Sequence, residues 1–322
     1  LPAEAGVGFV TGAQMANFSC LAAARGRLLR GLGWDVEEQG LFGAPPIQVL
    51  VGEEVHVTVL RALRFLGLGQ NRVQHVAVDA NGAIDPVALE AALRGADGPV
   101  LVCAQAGNVN TGACDPLRPI AEAASEHGAW LHIDGAFGLW AAASPRHEHL
   151  VAGREHADSW ATDAHKWLNV PYDCAVAVVK PAEALSDALA LSAAYLARSG
   201  RREPAEFVPE ASRRGRAIPL YAALRSLGRR GVADLVERCC AHATLMAGLL
   251  EEGGLEVLNE VVLNQVLVAG SPEHLARIQA DGTCWLGGTT WRGRHALRVS
   301  VSNWSTTEDD VRRSARAILD AA

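Results

Sequence analysis

Short apolar runs alternate with helix-like segments through the first half of the chain and beyond, and this rhythm limits the fold more than any other feature. The runs "VGFV", "IQVLVG", "VQHVAV", "PVLVCAQA", "AWLHID", "SWAT" and "CAVAVV" are separated by segments such as "AQMANFSCLAAARGRLLR", "EEVHVTVLRALRFLGL", "DPVALEAALRG" and "PLRPIAEAASEHG". Strands so continuously apolar have no face to turn to water. They predict the α/β class: a mostly parallel sheet covered by helices on both sides. Ligands of such sheets sit at the carboxyl ends of the strands.

After Pro181 the pattern changes. Helical segments "SRRGRAIPLYAALRSLG" and "GVADLVERCCAHATLMAGLLEE" give way to strand-like "LEVLNEVVLNQVLVAG" and "HALRVSVS", then to a last helix. That helix opens on a capping pattern, Thr306 or Thr307 followed three residues later by Asp309 or Asp310. We therefore expect a large domain over residues 1–230 and a small α+β domain over 231–322. A chain of 322 residues, 49% of them apolar, can bury a core in each.

Several classes of function are disfavoured. The net charge is −7, and the densest basic cluster, Arg213, Arg214 and Arg216, is broken by Gly215, which argues against a nucleic-acid partner. Aliphatic runs fall far short of the roughly 18–20 residues that span a bilayer. Seven cysteines, two of them adjacent at Cys239 and Cys240, show no CxxC and no paired metal spacing, and a secretory leader is not expected. The expectation is a reduced, cytoplasmic setting without a metal. The opening "LPAEAGVGFVTG" lacks an initiator methionine and enters a strand almost at once, so the chain reads as clipped at its N-terminus.

Lys166, in "SWATDAHKWLNVPYDC", is one of two lysines in a chain that otherwise uses arginine. A guanidinium does not deprotonate in proteins, whereas a lysine amine can lose its proton and attack a carbonyl. A lone lysine is more often a solvated surface group, as expected for Lys180 where a strand yields to a helix. Three further features fall at strand ends. In "FVTGAQMAN" a strand, a turn at Thr11, Gly12 and Ala13, and a helix present free N–H groups as a phosphate cup, or simply an ordinary βα turn. In "WLHIDGAFG" Asp134 ends an apolar strand, where a carboxylate needs a cationic or hydrogen-bonded partner such as a protonated pyridine nitrogen, unless it caps the next segment. His56 opens the helix of "EEVHVTVLRAL", and His165 precedes Lys166. One such histidine is commonplace, but two histidines, an aspartate and a lysine at one sheet edge are harder to dismiss.

These segments resemble the group II pyridoxal-phosphate-dependent amino acid decarboxylases, the family of aromatic amino acid, glutamate, histidine and diaminobutyrate decarboxylases. "DSWATDAHKWLNVPYDC" looks like its lysine motif, "WLHIDGAFG" its aspartate motif, "FVTGAQMANFSCLAAAR" its phosphate turn, and "VGEEVHVTVLRALRFLGLG" its ring-stacking histidine segment. "AGNVNTGACDPL" matches a segment between them, and order and spacing agree across essentially the whole chain. The resemblance implies a fold-type I large domain binding pyridoxal 5'-phosphate, with Lys166 as the Schiff-base lysine, Asp134 pairing the pyridine nitrogen and His56 stacked on the ring. It implies a phosphate cup of Gly12, Ala13 and Gln14, Ala136 beneath the ring, and His165 at the phosphate or substrate side. Arg298, in "ALRVSVSNWSTTEDDV", is the candidate for a substrate carboxylate, its alternative being a strand arginine paired with a surface acid.

The implied function is decarboxylation of an L-amino acid to its amine by a homodimer. Some residues depart from the family pattern. The loop that carries a protonating tyrosine in the well-known members corresponds to "RSGRREPAEFVPEA", which has none, and Tyr195 precedes it. Either another donor acts, His56 or a water, or the carbanion is redirected to aldehyde formation, transamination or aldol-type cleavage. Val109 stands where a hydroxyl residue is common, and Asp163 where a neutral residue is common; beside a phosphate Asp163 would be repulsive unless it points away. The family's N-terminal helical segment, which interlocks two subunits, would precede this chain, so an inactive truncated homologue is a third reading.

Overall fold

Side chains alternate between two helical layers along each central strand, as a doubly covered sheet requires. The computed structural model describes residues 2–191 and 202–322. Its main sheet comprises β1 Gly6–Val10, β2 Gln48–Gly52, β3 Gln74–Val76, β4 Val100–Gln105, β5 Trp130–Asp134, β6 Ser159–Asp163 and β7 Ala175–Val179, in the order β1-β7-β6-β5-β4-β2-β3. β7 pairs antiparallel with β1 and with β6, and the other neighbours pair in parallel. The helices are α1 Ala13–Arg30, α2 Val36–Gln39, α3 Val57–Phe65, α4 Pro86–Arg94, α5 Leu117–Glu126, α6 Ala182–Leu189, α7 Ala217–Glu252, α8 Pro272–Asp281 and α9 Glu308–Asp320. The seven apolar runs of the sequence are these seven strands. The sheet is mostly parallel with helices on both faces, as expected.

One face packs Val49, Val51, Leu101, Cys103 and Ala161 against α1, α3 and α6. The other packs Leu50, Val102, Ile133 and the fully buried Trp160 against α4, α5 and α7. α1 lies close to the sheet because its inner face is built of small residues, Ala16, Ser19, Cys20, Ala23 and Ala24. The Cys20 thiol, 3.4 Å from the Trp160 carbonyl, measures that approach. A longer side chain there would lift the helix and everything it carries.

β8 Gln265–Ala269, β9 Gly287–Trp291 and β10 Arg294–Ser300 form a second, antiparallel sheet in the order β8-β10-β9. It shares a core with the second half of α7 and with α9, through Met246, Leu250, Val266, Leu297, Val311 and Ile318. Three details differ from the sequence reading. The two helices expected on either side of Gly228 form one element broken there, at φ 61 and ψ −178, a conformation that glycine takes without steric cost. "LEVLNEVVLNQVLVAG" yields one strand, because Asn259 donates to the Thr111 and Gln265 carbonyls and accepts from Leu267 N–H, doing with a side chain what a paired strand would do. α8 and β9 were not anticipated, although Ser271, Pro272 and Gly282 are ordinary helix start and stop signals.

The last helix has the anticipated cap, at Thr307 and Asp310. Thr307 Oγ1 accepts from Asp310 N–H at 3.3 Å, and the Thr307 N–H donates to the Asp310 carboxylate at 3.0 Å. Thr307→Ala is expected to lower stability by about 1 kcal/mol. A shifted urea midpoint at unchanged m-value is the readout. Among the described residues no helix is long and apolar enough to cross a membrane.

Candidate active site

Parallel strands deliver their carboxyl ends to one edge, and the candidate residues follow from that. Asp134 ends β5, Asp163 ends β6 with His165 and Lys166 just beyond, and the turn after β1 opens α1. His56 is the N-cap of α3, just past β2. Gly12, Ala13, Gln14, His56, Asp134, Ala136, His165 and Lys166 all line one cavity of about 220 Å³, together with Thr58, Gln105, Gly107, Val109, Phe137 and Asp163. Gly107 has φ 92, and a side chain there would sit 2.9 Å from the Phe137 ring, so the wall demands glycine.

Asp134 is buried. Its Oδ2 accepts from Asn17 Nδ2 at 3.1 Å and its Oδ1 from Ala136 N–H at 3.2 Å. Burial pushes this carboxyl above its ordinary range, opposed by the nearby His56, by the Asn17 hydrogen bond and by Lys166. His56 is pulled below its ordinary value, chiefly by burial. Its Nδ1 accepts from the Thr58 N–H and lies 2.8 Å from Thr58 Oγ1, which leaves the proton on Nε2.

Asp163 does not point away from the turn, contrary to the condition set by repulsion. Its Oδ1 accepts from Ala13 N–H at 2.6 Å, at the mouth of α1, and its Oδ2 lies 3.1 Å from Lys166 Nζ. Helix dipole and ammonium together offset the charge. His165 Nε2 is 3.4 Å from the same carboxylate, its Nδ1 accepts from Cys174 N–H at 3.0 Å, and its ring stacks on Tyr172 at 4.1 Å. Arg298, on β10, donates to the carbonyl of Val109 at 3.1 Å; it stands behind the cavity wall, a protein carbonyl and not a surface acid its partner. Tyr195 lies outside the described residues.

The set suits a ligand with an anionic end, a carbonyl and a basic ring. Of the first-turn N–H groups of α1, that of Ala13 is taken by Asp163 at 2.6 Å and that of Met15 by the Gly12 carbonyl at 2.9 Å, which leaves that of Gln14 for an anion. Gln14 Oε1 is a buried acceptor without a partner, suited to a hydroxyl, and Asp134 is a buried carboxylate with hydrogen bonds from Asn17 and Ala136 but no ion pair among the described residues.

The model of the pyridoxal-dependent decarboxylase conserved domain matches residues 1–269. The chain belongs to this family. This family member is 32% identical over 256 residues to aspartate 1-decarboxylase of Aliivibrio fischeri, covering 76% of the chain and 47% of the relative. It is 30% identical over 289 residues to an acidic amino acid decarboxylase of Mus musculus, covering 86% and 52%. It spans about half the length of these curated relatives. The fold matches that of Oryza sativa TDC, solved with PLP and tryptamine, at TM-score 0.89 and 24% identity over 99% of this chain and 70% of that one. The family's cofactor is pyridoxal 5'-phosphate, and the decarboxylase-family site fits it: the Gln14 N–H, the amine and the carboxylate without an ion pair described above are what its phosphate, aldehyde and ring nitrogen require.

Sequence reasoning missed Asn17, Thr58, His132 and Ser159. His132 carried a signal: it stands two residues before Asp134 on a strand, hence on the same face. It is fully buried, and burial drives its pKa down to about 3. The unfolded chain takes up a proton near pH 6.5, so acid favours unfolding: stability present above 6.5 is lost as pH falls toward 3. His132→Gln is expected to flatten the fall of the melting temperature between pH 6.5 and 4. An unchanged slope would assign the acid sensitivity to other groups.

Proposed function

We propose that this chain is a pyridoxal-phosphate enzyme that removes carbon dioxide from an L-amino acid. The observation that carries this reading is the meeting of Lys166, Asp134, His56 and the N-terminus of α1 in one cavity. Bound there, pyridoxal phosphate supplies an aldehyde for an amine and a protonated ring that takes up the electrons of the breaking bond. Gly12, Ala13 and Gln14 would hold the phosphate with His165, Ala136 would pack under the ring, and His56 would lie against it. Asp134 keeps a proton on the ring nitrogen. Lys166 supplies the primary amine and takes its place again after each turnover.

Arg298 would steady a substrate carboxylate near Val109. The Cα–carboxylate bond breaks, carbon dioxide leaves and a proton drawn from water takes its place on Cα; His56, with its proton on Nε2 and its Nδ1 already accepting, orients that water in the role we assign it. The names of two relatives favour an acidic side chain on the substrate. A second reading, with the same cofactor and with molecular oxygen as the oxidant, ends in aldehyde, ammonia, carbon dioxide and hydrogen peroxide. It is favoured by the cavity wall, on which no tyrosine stands among the described residues. Incubating the protein and cofactor with aspartate, glutamate, 2,4-diaminobutyrate or tryptophan separates the two: carbon dioxide with an equal amount of amine supports the first, aldehyde without amine the second.

We also propose a homodimer in the cytoplasm, divided into domains after residue 230. An exposed apolar stripe on α7, Ile218, Tyr221 and Leu224, supports the dimer, and the seven free cysteines support a reducing compartment. The break at Gly228 supports the boundary.

A further inference from the structure

Behind Asp134 the site continues into the core as a line of polar groups in an otherwise apolar layer. Asn17, His132 and Ser159 are all fully buried. Trp130 Nε1 donates to Ser159 Oγ at 3.0 Å, Ser159 Oγ lies 2.9 Å from His132 Nδ1, and His132 Nε2 lies 3.0 Å from Asn17 Oδ1. Asn17 Nδ2 reaches Asp134 Oδ2 at 3.1 Å and Thr58 Oγ1 at 3.3 Å, and Thr58 Oγ1 is 2.8 Å from His56 Nδ1. Four elements, α1, the start of α3, β5 and β6, each contribute to the line.

We propose that Asn17, His132 and Ser159 are positioning residues: a one-directional hydrogen-bond chain, with Asn17 as its branch point, fixes the ionised Asp134 on one arm and the Nε2–H tautomer of His56 on the other. This rests on the reading that Asp134 and His56 face the cofactor ring.

The direction follows from what each group can do. An ionised carboxylate only accepts, so Asn17 turns its Nδ2 to Asp134 and its Oδ1 to His132. His132 Nε2 must then donate, and in a neutral ring Nδ1 must accept. The Ser159 hydroxyl is the donor in reach, and its oxygen remains open to the indole of Trp130, which only donates. The second Asn17 N–H goes to Thr58 Oγ1, whose own proton serves His56 Nδ1. From Trp130 to Thr58 each side-chain polar atom of the line has a partner in this arrangement. Reversing Asn17 would set its carbonyl oxygen against the Asp134 carboxylate. In a buried site such a mismatch is expensive, so the line holds its orientation.

The test uses the full chain with ring-15N pyridoxal phosphate, and 15N-labelled histidine in the same protein. In the unsubstituted protein the cofactor's ring nitrogen should be protonated at pH 8, and His132 and His56 should both be neutral with the proton on Nε2. Ser159→Ala, which removes one oxygen, should mix the His132 tautomers and weaken cofactor binding about fivefold, the size of one hydrogen bond between neutral groups. Asn17→Leu should go further, losing the ring proton at pH 8 and the single His56 tautomer while Lys166 still joins the cofactor on borohydride reduction. A proton on Nδ1 of His132 in the unsubstituted protein would overturn the direction of the line. Cofactor affinity within twofold and an unmoved ring-nitrogen signal in both variants would overturn the positioning role. If Asn17→Leu does not fold, Ser159→Ala and the histidine tautomers decide. If the unsubstituted protein takes up no cofactor, the proposed function fails; the tautomers, read without cofactor, still judge the chain separately.

Discussion

Lys166→Ala is expected to take carbon dioxide release below detection, a loss on the order of 10³-fold or more, as befits removal of a covalent nucleophile. Two controls isolate the amine from its charge. Lys166→Arg preserves a cation beside Asp163 but cannot give up a proton, so it should be equally inactive. Lys180→Ala should stay within twofold of the parent, because Lys180 pairs with exposed Glu4, at 3.4 Å, on the surface, away from the cavity. Mass spectrometry after borohydride reduction should find the cofactor on the peptide bearing Lys166 and on no other. Unchanged turnover in Lys166→Ala would sink the proposed function outright.

Asp134→Asn should lower kcat by on the order of 10²- to 10³-fold, the usual consequence of removing a preorganised charge from the reacting centre. The side chain keeps its shape but has one acceptor oxygen where Asp134 has two, so it can accept from Asn17 or from Ala136 N–H but not from both, and it holds no proton at the ring nitrogen. The loss should fall on kcat with KM little changed, since the interaction is needed most when electrons flow into the ring. A variant that loses affinity for substrate while retaining its rate would move Asp134 from the chemistry to the wall of the pocket.

The strand pattern was legible because burial on both faces leaves no periodicity to misread: every residue of β5, β6 and β7 is buried. The second sheet was harder. β9 reads "GGTTW", with one buried side chain at its end, so pairing with β10 and not its own composition makes it a strand. Asp134, Lys166 and His56 were legible because costly or rare groups stood at strand ends. Asn17 was not, because an asparagine in an alanine-rich helix carries no sign of what it faces until α1 is laid on β5. Asp163 was legible as a charge but its direction was not, since its balance comes from a helix terminus 150 positions earlier in the chain.

That separation has a bearing on how the molecule comes together. β1 is one of the two edge strands and pairs in the sheet only with β7, in a register that joins Gly6 to Val179. A growing chain can lay down β2 to β6, and display Lys166, before β1 has a partner strand, with the turn that opens α1 tied to β6 by Asp163 alone. Contacts closed across so much sequence form late in folding. The anion cup is therefore the last part of the pocket to be assembled, and a phosphate-bearing ligand meets a finished binding site only once the sheet is complete.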